Sequence, residues 1–93
     1  MENDGGMRIE TRDVTRQKAA RLSGVPADST VGELVQAALA SMELPTNDAN
    51  SRELTYHALL EREGRHLHNS ETVADALEND DQIVLQPSIH AGV

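Results

Sequence analysis

The sequence predicts an α+β domain in which a sheet of four to five strands packs on one helix. Three stretches predict it. Residues 7–12 (Met-Arg-Ile-Glu-Thr-Arg) alternate apolar and polar side chains, the period-two mark of a half-buried strand. Residues 30–42 carry a capping signal followed by an apolar stripe at helical spacing. Residues 83–85 (Ile-Val-Leu) are a short aliphatic run between an acidic turn and a proline, the pattern of a buried strand.

In chain order, residues 1–6 are polar and end in two glycines, and are expected to be a flexible segment. Residues 7–87 form the domain, and residues 88–93 a flexible tail. After the first strand, residues 13–17 are a polar turn. Residues 18–24, with Ala20 and Leu22, return as a second strand, and Gly24 suggests a bulge in it. Residues 25–29 connect to the helix. Thr30 and Glu33 have capping-box spacing, and Val31, Leu34, Val35, Ala38 and Met42 share one stripe of the helix over residues 31–42. Pro45 bounds its end. A polar loop leads to a strand over residues 54–60, where Tyr56 is a half-buried packing residue. Residues 62–64 turn, residues 65–67 return as a short strand, and residues 69–77 hold one capped helical turn. Residues 79–81 turn into the last strand. Pro87 lacks a backbone donor, so regular pairing should end or reach a sheet edge there. The expected core is Ile9, Leu22, Val31, Leu34, Val35, Ala38, Met42, Leu59, Leu67, Leu77, Ile83 and Leu85.

Composition narrows the function. Ninety-three residues make one domain with one modest core. With no Phe, no Trp and one Tyr, that core is aliphatic. The absence of Cys excludes a disulfide scaffold, a thiol nucleophile and a thiolate metal site, and fits a reducing cytoplasm. A formal charge of −8 argues against nucleic acid and anionic membranes as partners and favours basic patches on proteins. No apolar run has the length of a signal core or a membrane span. His66 and His68 share a strand face, but no carboxylate joins them, and His57 and His90 stand apart; all four are read as surface residues, with no metal and no cofactor expected. Residues 78–81 lack EF-hand spacing and read as a turn. No Ser/His/Asp arrangement or Gly-rich phosphate motif appears, so no enzyme is expected.

The element order resembles the ubiquitin-like β-grasp fold, a mixed sheet wrapped on one helix. Met7-Arg8-Ile9 is similar to the family's first strand, and Asp28-Ser29-Thr30-Val31 to the start of its helix. Gly64-Arg65-His66-Leu67 resembles its Gly-basic-polar-Leu turn, Glu71-Thr72-Val73-Ala74-Asp75 the turn before its last strand, and residues 80–85 that strand. Counted from it, Ala91-Gly92 falls on the register of the family's terminal diglycine. Length and tail are most similar to bacterial ubiquitin-like modifiers encoded with an activating enzyme, a conjugating enzyme and a JAB-type peptidase.

The resemblance implies a protein modifier. An activating enzyme would adenylate the Gly92 carboxylate and move it to a cysteine as a thioester; a conjugating enzyme would join it to target proteins by an isopeptide or ester bond. Glycine lacks Cβ and lets backbone approach catalytic groups closely. Six extended residues from Pro87 to Gly92 reach about 20 Å at roughly 3.3 Å each. Gly92 and Val93 then form the processing site, where a JAB-type processing or deconjugating peptidase would cut, and Ile89, His90 and Ala91 are the residues recognised in the tail. Lys18, the single lysine, is the candidate chain acceptor besides the N-terminus. A monomer in the cytoplasm is expected. The chain departs from the family where Ala91 replaces a glycine, where Val93 follows Gly92, and where Glu61 and Gln86 stand at apolar positions of the family's exposed patch. Two alternatives use the same fold: a sulfur carrier, which would hold a thiocarboxylate at its terminal glycine, and a non-conjugated binding domain that docks partners by a sheet face or edge.

Overall fold

The computed structural model describes the chain from Gly6 to Ile89, the last residue for its backbone only. Seven elements follow in order: strand β1 (Gly6–Asp13), β2 (Ala19–Pro26), helix α1 (Val31–Met42), β3 (Leu54–Leu60), β4 (Arg65–His66), the one-turn α2 (Val73–Ala76) and β5 (Asp81–Ile89). The strands form one sheet in the order β2-β1-β5-β3-β4. β5 runs parallel to β1 and antiparallel to β3, so the last strand in sequence occupies the middle of the sheet.

Alternation sets the two faces. Ile9, Thr11, Tyr56, Ala58, Leu60, Ile83 and Leu85 are buried on the inner face. Against them α1 lays Val31, Leu34, Val35, Ala38, Leu39 and Met42, all buried. The capping box is formed: the Thr30 hydroxyl accepts from Glu33 N–H at 3.2 Å, and the Glu33 carboxylate accepts from Thr30 N–H at 2.9 Å. Two further N–H groups of the first turn, from Val31 and Gly32, donate to the carbonyls of Glu71 and Asn69. The helix start is thus fastened to the loop before α2. Its end is a left-handed Glu43 (φ 54°), not the proline that follows.

Several expectations are corrected. The second strand begins at Ala19 and runs through Val25 and Pro26, read from sequence as connector; the bulge is present, since β2 spends an extra residue between its pairings with Met7 and Ile9, and Gly24 has φ +66°. Gly6 pairs with Pro26 and belongs to the sheet, not to the N-terminal segment. In the Leu59-Leu60 pair the core residue is Leu60; Leu59 lies on the outer face with Val84 opposite. Leu22 is only partly buried, and Tyr56 is more buried than expected, its hydroxyl donating to Pro45 C=O at 2.7 Å. Thr72 precedes α2 but makes no side-chain cap. β5 does not stop at Pro87: Pro87, Ser88 and Ile89 pair with Tyr56, Thr55 and Leu54, so Ser88 and Ile89, expected in the tail, are rungs of the sheet.

The geometry explains how a proline sits inside this ladder. Glu61 N–H bonds to Gln82 C=O, which sets the alternation along β3 and β5. Leu59/Val84, His57/Gln86 and Thr55/Ser88 are the bonded pairs, and Tyr56/Pro87 falls between them. The nitrogen of Pro87 therefore faces the β1 side, where β1 has ended opposite Leu85. The missing donor lies at an open edge and costs no ladder bond.

Candidate functional site

The candidate site is β5 itself, fixed at its start and leading toward the tail at its end. At the start, Arg62 donates from Nε and Nη2 to the two oxygens of Asp81 at 2.9 and 3.0 Å, and Glu78 N–H donates to the same carboxylate at 2.8 Å. Asp81 is only 7% exposed, and the Arg62 bonds hold its carboxyl below the usual carboxylate range. The same bonds hold the Arg62 guanidinium well above its ordinary value. Arg8 ties the turn before the strand, its N–H to Asn79 Oδ1 and its guanidinium to Asp80 in solvent. No sequence signal marked the Arg62–Asp81 pair, because its partners are 19 positions apart.

At the other end, four polar side chains meet on the outer face. His57 Nε2 lies 3.1 Å from Ser88 Oγ, and His66 Nε2 lies 2.7 Å from Gln86 Oε1. The two imidazoles stand edge to face with centroids 6.2 Å apart. The sequence pairs His66 with His68; the structure pairs it with His57, and β4 ends before His68. Among the described residues no three His, Cys, Asp or Glu side chains come together as a metal site. The two patch positions are polar and engaged, Gln86 with His66, and Glu61 with Arg16 at 3.7 Å. Val84, 6% exposed, is flanked on this face by Leu59 and Arg12.

Of the tail residues, Ile89 is the last rung of β5, opposite Leu54; His90, Ala91, Gly92 and Val93 lie outside the described residues. Lys18 is exposed at the β1–β2 turn, its Nζ 3.4 Å from the Glu43 carbonyl at the end of α1. Away from β5, the outer edge of β2 has no strand beside it among the described residues, and an apolar groove of about 420 Å³ runs between it and α1, walled by Leu22, Val25, Pro26, Leu34 and Ala37. No helix among the described residues is long and apolar enough to cross a membrane.

This architecture has counterparts among solved structures. The ubiquitin of Caldiarchaeum subterraneum superposes with a TM-score of 0.62 at 26% sequence identity, over 95% of this chain and 100% of that one. A protein whose molecular mimicry of SUMO promotes DNA repair superposes with a TM-score of 0.61 at 21% identity, over 89% of this chain and 92% of that one. No protein-family model matches the sequence, and no curated protein matches it. The fold is the ubiquitin-like β-grasp, α+β with a five-stranded mixed sheet on one main helix.

Proposed function

We propose that this chain is a ubiquitin-like protein modifier. The bond after Gly92 is hydrolysed by a peptidase. The freed carboxylate attacks the α-phosphate of ATP and releases pyrophosphate, and a cysteine thiolate of an activating enzyme then displaces AMP to form a thioester. A conjugating enzyme takes the acyl group by thiol exchange, and a target nucleophile receives it. The chain acts as substrate throughout and contributes no catalytic residue. The observation that carries this reading is the position of β5. β1 and β3 hold it on both sides as far as Leu85, β3 alone pairs with it as far as Ile89, and Gly92 follows three residues later in the sequence. A strand anchored in the middle of the sheet and ending close to a glycine suits an acyl donor that must reach a buried active site. Likeness to an archaeal ubiquitin over nearly the whole chain supports it.

The mass of the intact protein from its own cells tests the reading. A species ending at Gly92 is expected, and a population in which Val93 is always retained contradicts it. A further shift to a thiocarboxylate would favour the sulfur carrier. One observation favours a non-conjugated binding domain: the outer β2 edge beside the α1 groove, with no strand against it among the described residues, could accept an added strand from a partner. Partner binding that survives deletion of the tail, with Val93 retained in cells, would select that reading.

A further inference from the structure

β5 outruns its parallel neighbour. Pairing with β1 ends at Leu85, and from Gln86 to Ile89 the strand has β3 alone beside it. By the alternation along β3 and β5, two bonded pairs in that stretch, His57/Gln86 and Thr55/Ser88, make up its backbone ladder. Both residues of β5 that face outward here are held by a histidine, Ser88 by His57 from β3 and Gln86 by His66 from β4. His66 reaches across the intervening strand to do so. The rest of β5 is held differently, by neighbours on both sides and at its start by the bonds from Arg62 to the buried Asp81.

We infer that His57 and His66 are a latch on the end of β5, and that this end peels from β3 when the tail is engaged. The purpose of the latch rests on the modifier reading. With the latch closed, three residues past Ile89 reach Gly92, about 10 Å at roughly 3.3 Å per residue. With it open, seven residues are free from Gln86 onward, and the reach rises to about 23 Å. The histidines are positioning residues: they touch no reacting atom and set how far the acyl donor extends.

Amide hydrogen exchange of the 93-residue chain tests the latch without any enzyme. In H57A/H66A, exchange at Gln86 and Ser88 should quicken roughly tenfold or more, the loss of one or two modest hydrogen bonds. Exchange at Ile83 and Leu85 should not change. H57Q/H66Q, which restores a donor at each position, should recover protection. Unchanged exchange at Gln86 and Ser88 in H57A/H66A would overturn the latch, as would equal exchange in both double variants. The peel is tested with L54C/I89C, which places a disulfide across a non-bonded pair in a chain with no other cysteine. With activating enzyme and ATP, the oxidised form ending at Gly92 should charge at least about tenfold more slowly than the same protein reduced beforehand with a phosphine. Equal charging would overturn the peel. Failure of wild type and reduced form alike would overturn the modifier reading instead, and the exchange result would still decide the latch.

Discussion

Asp81 is buried and accepts three hydrogen bonds, whereas Asp80 beside it meets Arg8 in open solvent. Burial therefore predicts opposite outcomes for one substitution. Asp81→Asn should cost about 1.5–3 kcal/mol, the range for hydrogen bonds to a charged group. Asp80→Asn should leave stability nearly unchanged, since exposed ion pairs contribute little and Asn tolerates the positive φ that Asp80 adopts. Urea unfolding of both variants at neutral pH measures the contrast. The pH dependence has a definite sign. The folded Asp81 carboxyl lies below its unfolded value, so its contribution is complete above about pH 4 and is lost as pH falls through the folded value. Wild-type stability should decline more steeply than that of Asp81→Asn below about pH 4.

At the scale of elements, β3 separates what the sequence makes plain from what it hides. A strand over residues 54–60 was legible from its composition, but its inward side was not, because Leu59 and Leu60 are adjacent and both apolar. The period-two series Leu54, Tyr56, Ala58, Leu60 resolves it: that series faces α1, and Thr55, His57 and Leu59 face outward. Leu60→Ala and Leu34→Ala should each cost on the order of 2–5 kcal/mol. Leu59→Ala should cost less than half as much as Leu60→Ala, and equal costs in thermal unfolding would put the register in error. The helix was legible to the residue because its cap and its stripe are both local signals. The end of β5 was not, because whether a proline breaks a ladder depends on which way its nitrogen faces, and that is set by where β1 stops. The histidine latch was hidden for a related reason: it joins three strands whose order in the sheet differs from their order in sequence.

At the scale of the molecule, the lysine content of the proposed modifier limits what can be built on it. Lys18 is the single lysine, exposed and bonded only weakly to the end of α1. If the proposed modifier forms chains through lysine, Lys18→Arg should leave attachment to targets intact and abolish lysine-linked polymers. Polymers that persist through a side chain other than the N-terminal amine would establish a non-lysine linkage. The acyl-donor role proposed for Gly92 is supported by its place in the sequence after β5 and by likeness to a ubiquitin, and the direct test is chemical. The chain ending at Gly92 and the chain ending at Val93 are each incubated with ATP, activating enzyme and conjugating enzyme. A thiol-sensitive adduct should form with the first and not with the second, because a β-branched residue beside the carboxylate crowds the acyl-transfer steps. Charging of both chains at the same rate, or of neither, would contradict the account.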